Sequence, residues 1–212
     1  MQRFPRTATN IIVAVTAAAF LIAYLSGQNY AAAYVLGFIP ARFSGVSLPF
    51  PWANAVPAVL TPLTATLAHG NWVHIGFNLL ILVFCGTQVE RVLGAAGLIV
   101  LYVIGAYAAA AAQYFLSPHA LVPMIGASGA ISAVIGAYAL SFGRAKAFTR
   151  NFKLNRWINV AWLMVAWVVL QEMMGWLGNQ QGVLLATGAH VGGFAAGLLL
   201  QRPLLLWRYR KA

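Results

Sequence analysis

The stretch HGNWVHIGFNLLILVFCGTQVER, residues 69–91, has no charged side chain until Glu90, yet it holds His69, His74 and Asn78. Its apolar part, about 72–89, is slightly short of the ~20 residues that a membrane-spanning helix needs and can borrow apolar neighbours. His74 and Asn78 are four apart, so a helix puts them on one face. The rest of the chain decides between a buried helix of a soluble protein and a span. Of 212 residues, 62% are hydrophobic and 7% charged, against roughly 25% charged in a soluble domain. A water-soluble fold of this size could not hide so much apolar surface, and the chain reads as a multi-spanning membrane protein.

Working outward, six apolar runs stand out, at about 10–25, 72–89, 95–116, 127–142, 157–177 and 183–206. They lack the period-2 alternation of barrel strands, and only helices and closed barrels satisfy the backbone in lipid. The expected fold is therefore an all-α membrane protein, a bundle of six transmembrane helices forming one domain over residues 1–212. Six spans put both termini on one side. Arg3, Arg6, Arg91, Arg144, Lys146, Arg150, Lys153, Arg156, Arg202, Arg208, Arg210 and Lys211 then all fall on that side, and Arg42 alone on the other. The positive-inside rule makes that side cytoplasmic. The same distribution reads the net charge of +11 as membrane anchoring and not as a nucleic-acid footprint. Arg3 and Arg6 followed by an apolar core resemble a secretory signal, but removing the first run would leave five spans, so it is expected to stay. The loop at 26–71 is rich in Pro, Gly and aromatics and is expected to lie in the interface, anchored by Phe43, Phe50 and Trp52. Within it, VPAVLTPLTATLAHG suits a short interfacial helix. No sustained repeat, phosphate loop or dinucleotide fingerprint is present. Cys85 has no disulfide partner and reads as a packed small hydrophobe.

The polar residues inside the runs fall at one depth. At about 1.5 Å rise per residue, His74 lies roughly 24 Å, Asn78 18 Å, Ser128 22 Å and His190 17 Å above the inner boundary. The hydrocarbon core is about 30 Å thick. The shortness of the run at 127–142 is explained if its helix starts inside the membrane with Ser128 at its head. Gly129, Ala133 and Gly136 or Ala137 line one side of that helix, and Gly193 with Gly197 form a small-xxx-small face on the last one, which permits close backbone approach in lipid. Packing these faces would bring the Ser128 hydroxyl to the His190 imidazole. A serine is a weak nucleophile until a base takes its proton, and His190 is the candidate base. Acyl transfer also needs donors for the developing oxyanion. The backbone N–H groups at the helix start, the Asn78 amide and the His74 ring N–H could supply them. No acid lies at this depth on those three helices, so the arrangement would be a Ser–His dyad reached by water from the outer face.

At HGNWVHIGFN (69–78), ERVLG (90–94), GASG (126–129) and AHVGGFAAG (189–197), the sequence resembles the rhomboid family of intramembrane serine proteases. The order and spacing fit, and the resemblance covers nearly the whole chain. It implies a six-helix bundle with a submerged, water-accessible cavity. The implied reaction is hydrolysis of peptide bonds in or near the transmembrane helices of membrane-protein substrates, with no metal or cofactor. Residue by residue, it implies Ser128 as nucleophile, His190 as general base and His74 and Asn78 on the oxyanion side. It makes His69 structural, Glu90 and Arg91 a polar pair at the inner end of the second helix, and Gly126, Gly129, Gly193 and Gly197 packing glycines. Two departures stand out. Some relatives carry an aromatic residue four after the serine, packed on the histidine, where this chain has Ser132. The Trp-Arg pair that many relatives have in the first loop is absent.

Other readings have less support. A metal site from His69, His74 and His190 lacks a carboxylate or thiolate, and its first two members are five apart. A catalytically dead, client-binding relative would not need Ser128, His190, His74 and Asn78 together. A small transporter would continue its polar path through the inner halves of the helices, which are apolar here. His119 is expected to be solvated or interfacial. Glu172 reads as an interface-level side chain, the alternative being a polar group beside lateral substrate entry. Trp157, Trp162, Trp167 and Trp176 read as belt and packing residues. The expected location is a plasma or bacterial inner membrane, with the active site opening outward. The oligomeric state and the substrate are not set by the sequence.

Overall fold

The structure, a computed structural model, describes residues 7–46, 48, 55–142, 149–177 and 186–210. Phe50, Trp52, Arg3, Arg6, Arg144, Lys146 and Lys211 from the readings above lie outside these residues. The described chain is helical, with the isolated bridge Phe38–Met124 as its β pairing. In chain order the helices are α1 (Thr7–Leu25), α2 (Asn29–Leu36), α3 (Thr61–Thr64), α4 (Trp72–Ile81), α5 (Thr87–Leu116), α6 (Ser128–Phe142), α7 (Phe152–Leu177) and α8 (Thr187–Arg208). A π-helical turn, Leu82–Gly86, joins α4 to α5. Each of the six apolar runs lies mostly in helix. By length and hydropathy alone, two helical stretches among the described residues suffice to cross a membrane, Ala8–Leu25 and Trp72–Leu116.

The second of these is not one rod. Gly94 sits at φ 77°, ψ 168° inside α5, a backbone conformation that glycine adopts without steric cost. The helical path therefore breaks after 72–93 and starts again at 95. A helix end leaves carbonyls without partners, and here Arg208 of α8 supplies them. Its Nη1 donates to the Arg91 carbonyl at 2.6 Å and to that of Glu90 at 3.4 Å.

The other end of this junction fixes α1. The buried Glu90 carboxylate accepts the backbone N–H groups of Ala8 and Thr9 at 3.0 Å each and the Thr9 hydroxyl at 2.6 Å. This is an N-cap supplied from another helix, charge-assisted and aligned with the helix dipole. Replacing Glu90 by alanine leaves buried donors unmet and should cost about 1–3 kcal/mol. The expected readout is a thermal unfolding midpoint in detergent several degrees lower, whereas an unchanged midpoint would refute the cap.

The long first loop is more ordered than an interfacial strap requires. It contains α2 and a 3₁₀ segment, Pro40–Ser44, where the sequence suggested loop. Short helical turns do occupy the expected interfacial piece, from Ala58 to Leu67. The loop folds over the segment that leads into α6. Phe38 and Met124 exchange backbone bonds at 3.0 and 2.8 Å, Ala41 N–H reaches the Ala120 carbonyl at 3.1 Å, and Ser44 donates to the Pro118 carbonyl at 2.8 Å. These bonds satisfy a non-helical backbone that bulk lipid could not satisfy.

The core is built where α6 meets α8 and α5. Eleven of the fifteen residues of α6 are buried. A Cβ on Gly193 would overlap the Gly129 carbonyl and lie 3.0 Å from Ser132 Cβ, and one on Gly197 would overlap the Ala133 carbonyl. The two helices run parallel, with Ser128 beside His190 at one end and Gln201 Nε2 donating to Ser141 Oγ at 3.1 Å near the other. At that second end Arg156 donates to the Leu140 carbonyl at 3.0 Å, and Arg208 holds the Arg91 backbone. The described cations Arg91, Arg156 and Arg208 thus share the end of the bundle remote from Ser128. Cys85 is free and buried.

Candidate active site

Three helix starts and one loop position the polar layer. Helix α4 begins after Asn71, whose side chain accepts the His74 N–H at 2.8 Å, a standard N-cap. The cap sets the start of the face that carries His74 and, one turn on, Asn78. Helix α6 begins at Ser128 itself, so the hydroxyl sits among the first, unpaired N–H groups of a helix. Helix α8 begins at Thr187 and brings His190 in on its first turn.

His190 Nε2 lies 2.9 Å from Ser128 Oγ, within hydrogen-bond range for a nucleophile and its base. Both residues are buried, each 6% exposed. Among the described residues the His190 Nδ1 has no partner, so no carboxylate there orients the ring from behind. The loop before α6 passes directly over the α4 face. A Cβ placed on Gly126 would lie 2.5 Å from His74 Nε2 and 3.6 Å from Asn78 Nδ2. The His74 and Asn78 side chains therefore converge on the backbone just ahead of Ser128. Asn78 is fully buried, and neither its amide nitrogen nor its oxygen bonds to a protein group. A buried polar group left unpaired costs stability, on the order of 1–3 kcal/mol.

Gly126 differs from its expected part. It lies in the loop two residues before α6 and not on a packed helix face, and its φ of 108° is open to glycine. Its N–H donates to the Ala65 carbonyl at 2.9 Å. Any side chain there would collide with His74, so this glycine permits close approach of loop and imidazole. Gly129 faces Ala109 Cβ of α5 and Ala189 of α8, while Gly193 and Gly197 face α6. His69 is buried, its Nε2 accepts the Ala127 N–H at 3.4 Å, and its ring meets that of His74 edge-on at 4.9 Å. It braces both the loop and the α4 imidazole. Glu172 accepts the Thr187 hydroxyl at 2.7 Å, tying α7 to the first residue of α8. Among the described residues, no group of three His, Cys, Asp or Glu side chains is arranged to hold a metal ion.

One residue of the site was not legible in the sequence. Trp157 and Trp162 are 57% and 67% exposed, as belt residues would be, but Trp167 on the same helix is only 5% exposed. Its indole donates to Ser132 Oγ at 2.7 Å, and its ring lies 6.3 Å from that of His190. Only the packing of α7 against α6 and α8 reveals this, since four tryptophans on one apolar helix look alike in sequence.

Comparison with known proteins gives one consistent result. The Rhomboid domain family matches residues 57–207. Rhomboid protease GlpG of Enterobacter sp. (strain 638) is 32% identical over 178 residues, covering 80% of this chain and 59% of the relative. Rhomboid protein 1, mitochondrial, of Saccharomyces cerevisiae is 29% identical over 184 residues, covering 78% and 50%. Rhomboid protease GluP of Bacillus subtilis (strain 168) is 28% identical over 142 residues, covering 66% and 26%. The chain thus spans between a quarter and three-fifths of the length of these relatives.

Proposed function

The chain belongs to the rhomboid family, and from that premise we propose that it is an intramembrane serine endopeptidase cleaving peptide bonds in or near transmembrane segments of membrane-protein substrates. The observation that carries this reading is the 2.9 Å approach of His190 Nε2 to Ser128 Oγ at the head of a parallel helix pair. Ser128 attacks the scissile carbonyl carbon as His190 Nε2 takes its proton. The tetrahedral oxyanion is met by the Asn78 amide, the His74 ring N–H and the N–H groups at the start of α6. The otherwise unpaired, fully buried Asn78 amide supports this assignment: a donor kept without a partner in the resting protein is available to the transition state. Collapse of the intermediate expels the amine, which takes the proton from His190. Water, deprotonated by the same imidazole, then hydrolyses the acyl-Ser128 ester and regenerates the hydroxyl.

The same reading includes six spans forming one membrane domain, both termini on the cytoplasmic side of a plasma or bacterial inner membrane, and a site opening outward. Arg91, Arg156 and Arg208, gathered at the end remote from Ser128, are consistent with that orientation.

The test is proteolysis of a single-span substrate by purified protein in detergent and in liposomes, with Ser128→Ala as control. Cleavage by the unaltered chain and none by the control is expected, whereas equal cleavage by both would end the proposal. Asn78→Ala removes one oxyanion donor and is expected to lower kcat about 10²-fold. An unchanged kcat in that variant would remove Asn78 from the site.

A further inference from the structure

We propose that Trp167 is the positioning residue for His190, taking over from helix α7 the restraint that a Nδ1 partner would otherwise give. This rests on the reading of His190 as the general base. A histidine bonded through Nε2 alone keeps freedom to turn about its side-chain bonds, and among the described residues the His190 Nδ1 has no partner. What limits the ring is packing. The Trp167 indole approaches it edge-on, with centroids 6.3 Å apart and planes at 72°, within the range of favourable aromatic pairs. On its other side Trp167 stacks on Phe77 of α4, with centroids 6.0 Å apart and planes at 19°. The indole is thus wedged between the helix that carries Asn78 and the one that carries His190.

The wedge is held in register by a hydrogen-bond chain. Trp167 Nε1 donates to Ser132 Oγ at 2.7 Å, and Ser132 Oγ donates to the carbonyl of Ser128 at 2.7 Å. Helix α7 is linked to the first turn of α6 through one buried hydroxyl. Ser132 suits this position for two reasons. It can accept the indole proton while donating to the turn that starts at Ser128. It is also small, and Gly193 packs so closely that a Cβ there would lie 3.0 Å from Ser132 Cβ. A bulky residue at 132 would compete with Trp167 for the same space. The hydroxyl at 132 and the aromatic ring on α7 therefore form one device.

A merely structural tryptophan would affect stability, and a positioning one must affect the reactivity of Ser128 at constant fold. The experiment measures the rate of fluorophosphonate labelling at Ser128, and kcat and KM on a single-span substrate, for the unaltered chain, Trp167→Ala, Trp167→Phe and Ser132→Ala. Small misplacements of reacting groups can cost up to about 10²-fold in rate. Trp167→Ala is expected to lower the labelling rate and kcat by about 10-fold or more, with KM changed by less than about 2-fold. Trp167→Phe keeps the ring and should restore most of the rate. Ser132→Ala frees the indole and should show an intermediate loss. If Trp167→Ala does not fold, the Phe and Ser132→Ala variants carry the test. Labelling rates equal to the unaltered chain in every folded variant would overturn the role of Trp167. A chain whose Ser128 does not label at all would instead refute the reading of the dyad on which it rests.

Discussion

Replacing His190 by alanine is expected to abolish both fluorophosphonate labelling of Ser128 and substrate cleavage, by at least about 10³-fold in kcat, while leaving the protein folded. The hydroxyl of a serine is not a competent nucleophile at neutral pH without a base in contact with it. The imidazole at 2.9 Å is the contact seen at Ser128 Oγ. Among the described residues no carboxylate lies behind His190 and no second base bonds the hydroxyl, so none but His190 is positioned to take the proton. Ser128→Ala should match this loss, and the double variant should be no worse than either single one, because two members of one reacting unit do not contribute additively. His190→Ala shortens a side chain at the edge of the core and leaves the α6–α8 glycine contacts untouched, so helix content should hold. Normal turnover by His190→Ala would remove the dyad.

The second large effect is expected at Gly197. Here a single methyl group should separate two helices. A Cβ at this position would overlap the Ala133 carbonyl and lie 2.9 Å from Ala133 Cα, both of them backbone atoms of α6 that cannot rotate away. Gly136, opposite, is equally close, with a Cβ there lying 3.2 Å from Gly197 Cα. Gly197→Ala must therefore push α6 and α8 apart. Overpacking of this kind costs about 1–3 kcal/mol, and Gly197→Leu should cost more. Because Ser128 and His190 sit on the same two helices, the variant should lose cleavage as well as thermal stability. Gly76 is the control: a Cβ there meets nothing within 4 Å. Gly76→Ala lies mid-helix in α4 and should be neutral or stabilising by up to about 1 kcal/mol. Thermal melts and cleavage by the three variants check this. A Gly197→Leu protein with unaltered midpoint and activity would show that the close approach of α6 and α8 is not required.

Several features were legible from the chain alone because they are local or set by depth. The apolar runs mark where helices lie, since period and length are properties of consecutive residues. The head of α6 at Ser128 followed from the shortness of its run, and the common depth of His74, Asn78, Ser128 and His190 from a fixed rise per residue. Small residues at 129, 193 and 197 marked which faces could approach. Others were hidden. The carboxylate of Glu90 caps a helix more than eighty residues earlier, and no spacing rule connects them. Helix α2, NYAAAYVL, contains no Pro or Gly and formed inside a stretch whose overall Pro, Gly and aromatic content suggested loop. Gly126 looked like a packing glycine and is a loop glycine, a distinction made by its φ and by the His74 ring against it.

The sequence by itself thus determined an all-helical, membrane-directed chain with a serine and a histidine at matching depth. Depth is one coordinate, additive along each helix. It cannot specify rotation about the helix axis or which helices are neighbours. Only the tertiary structure turned Ser128 Oγ toward His190 Nε2, brought Trp167 from α7 to the ring that Ser132 leaves uncovered, and laid the Gly126 loop on His74, because these contacts depend on how closely backbones pack, which is decided when all the faces meet at once.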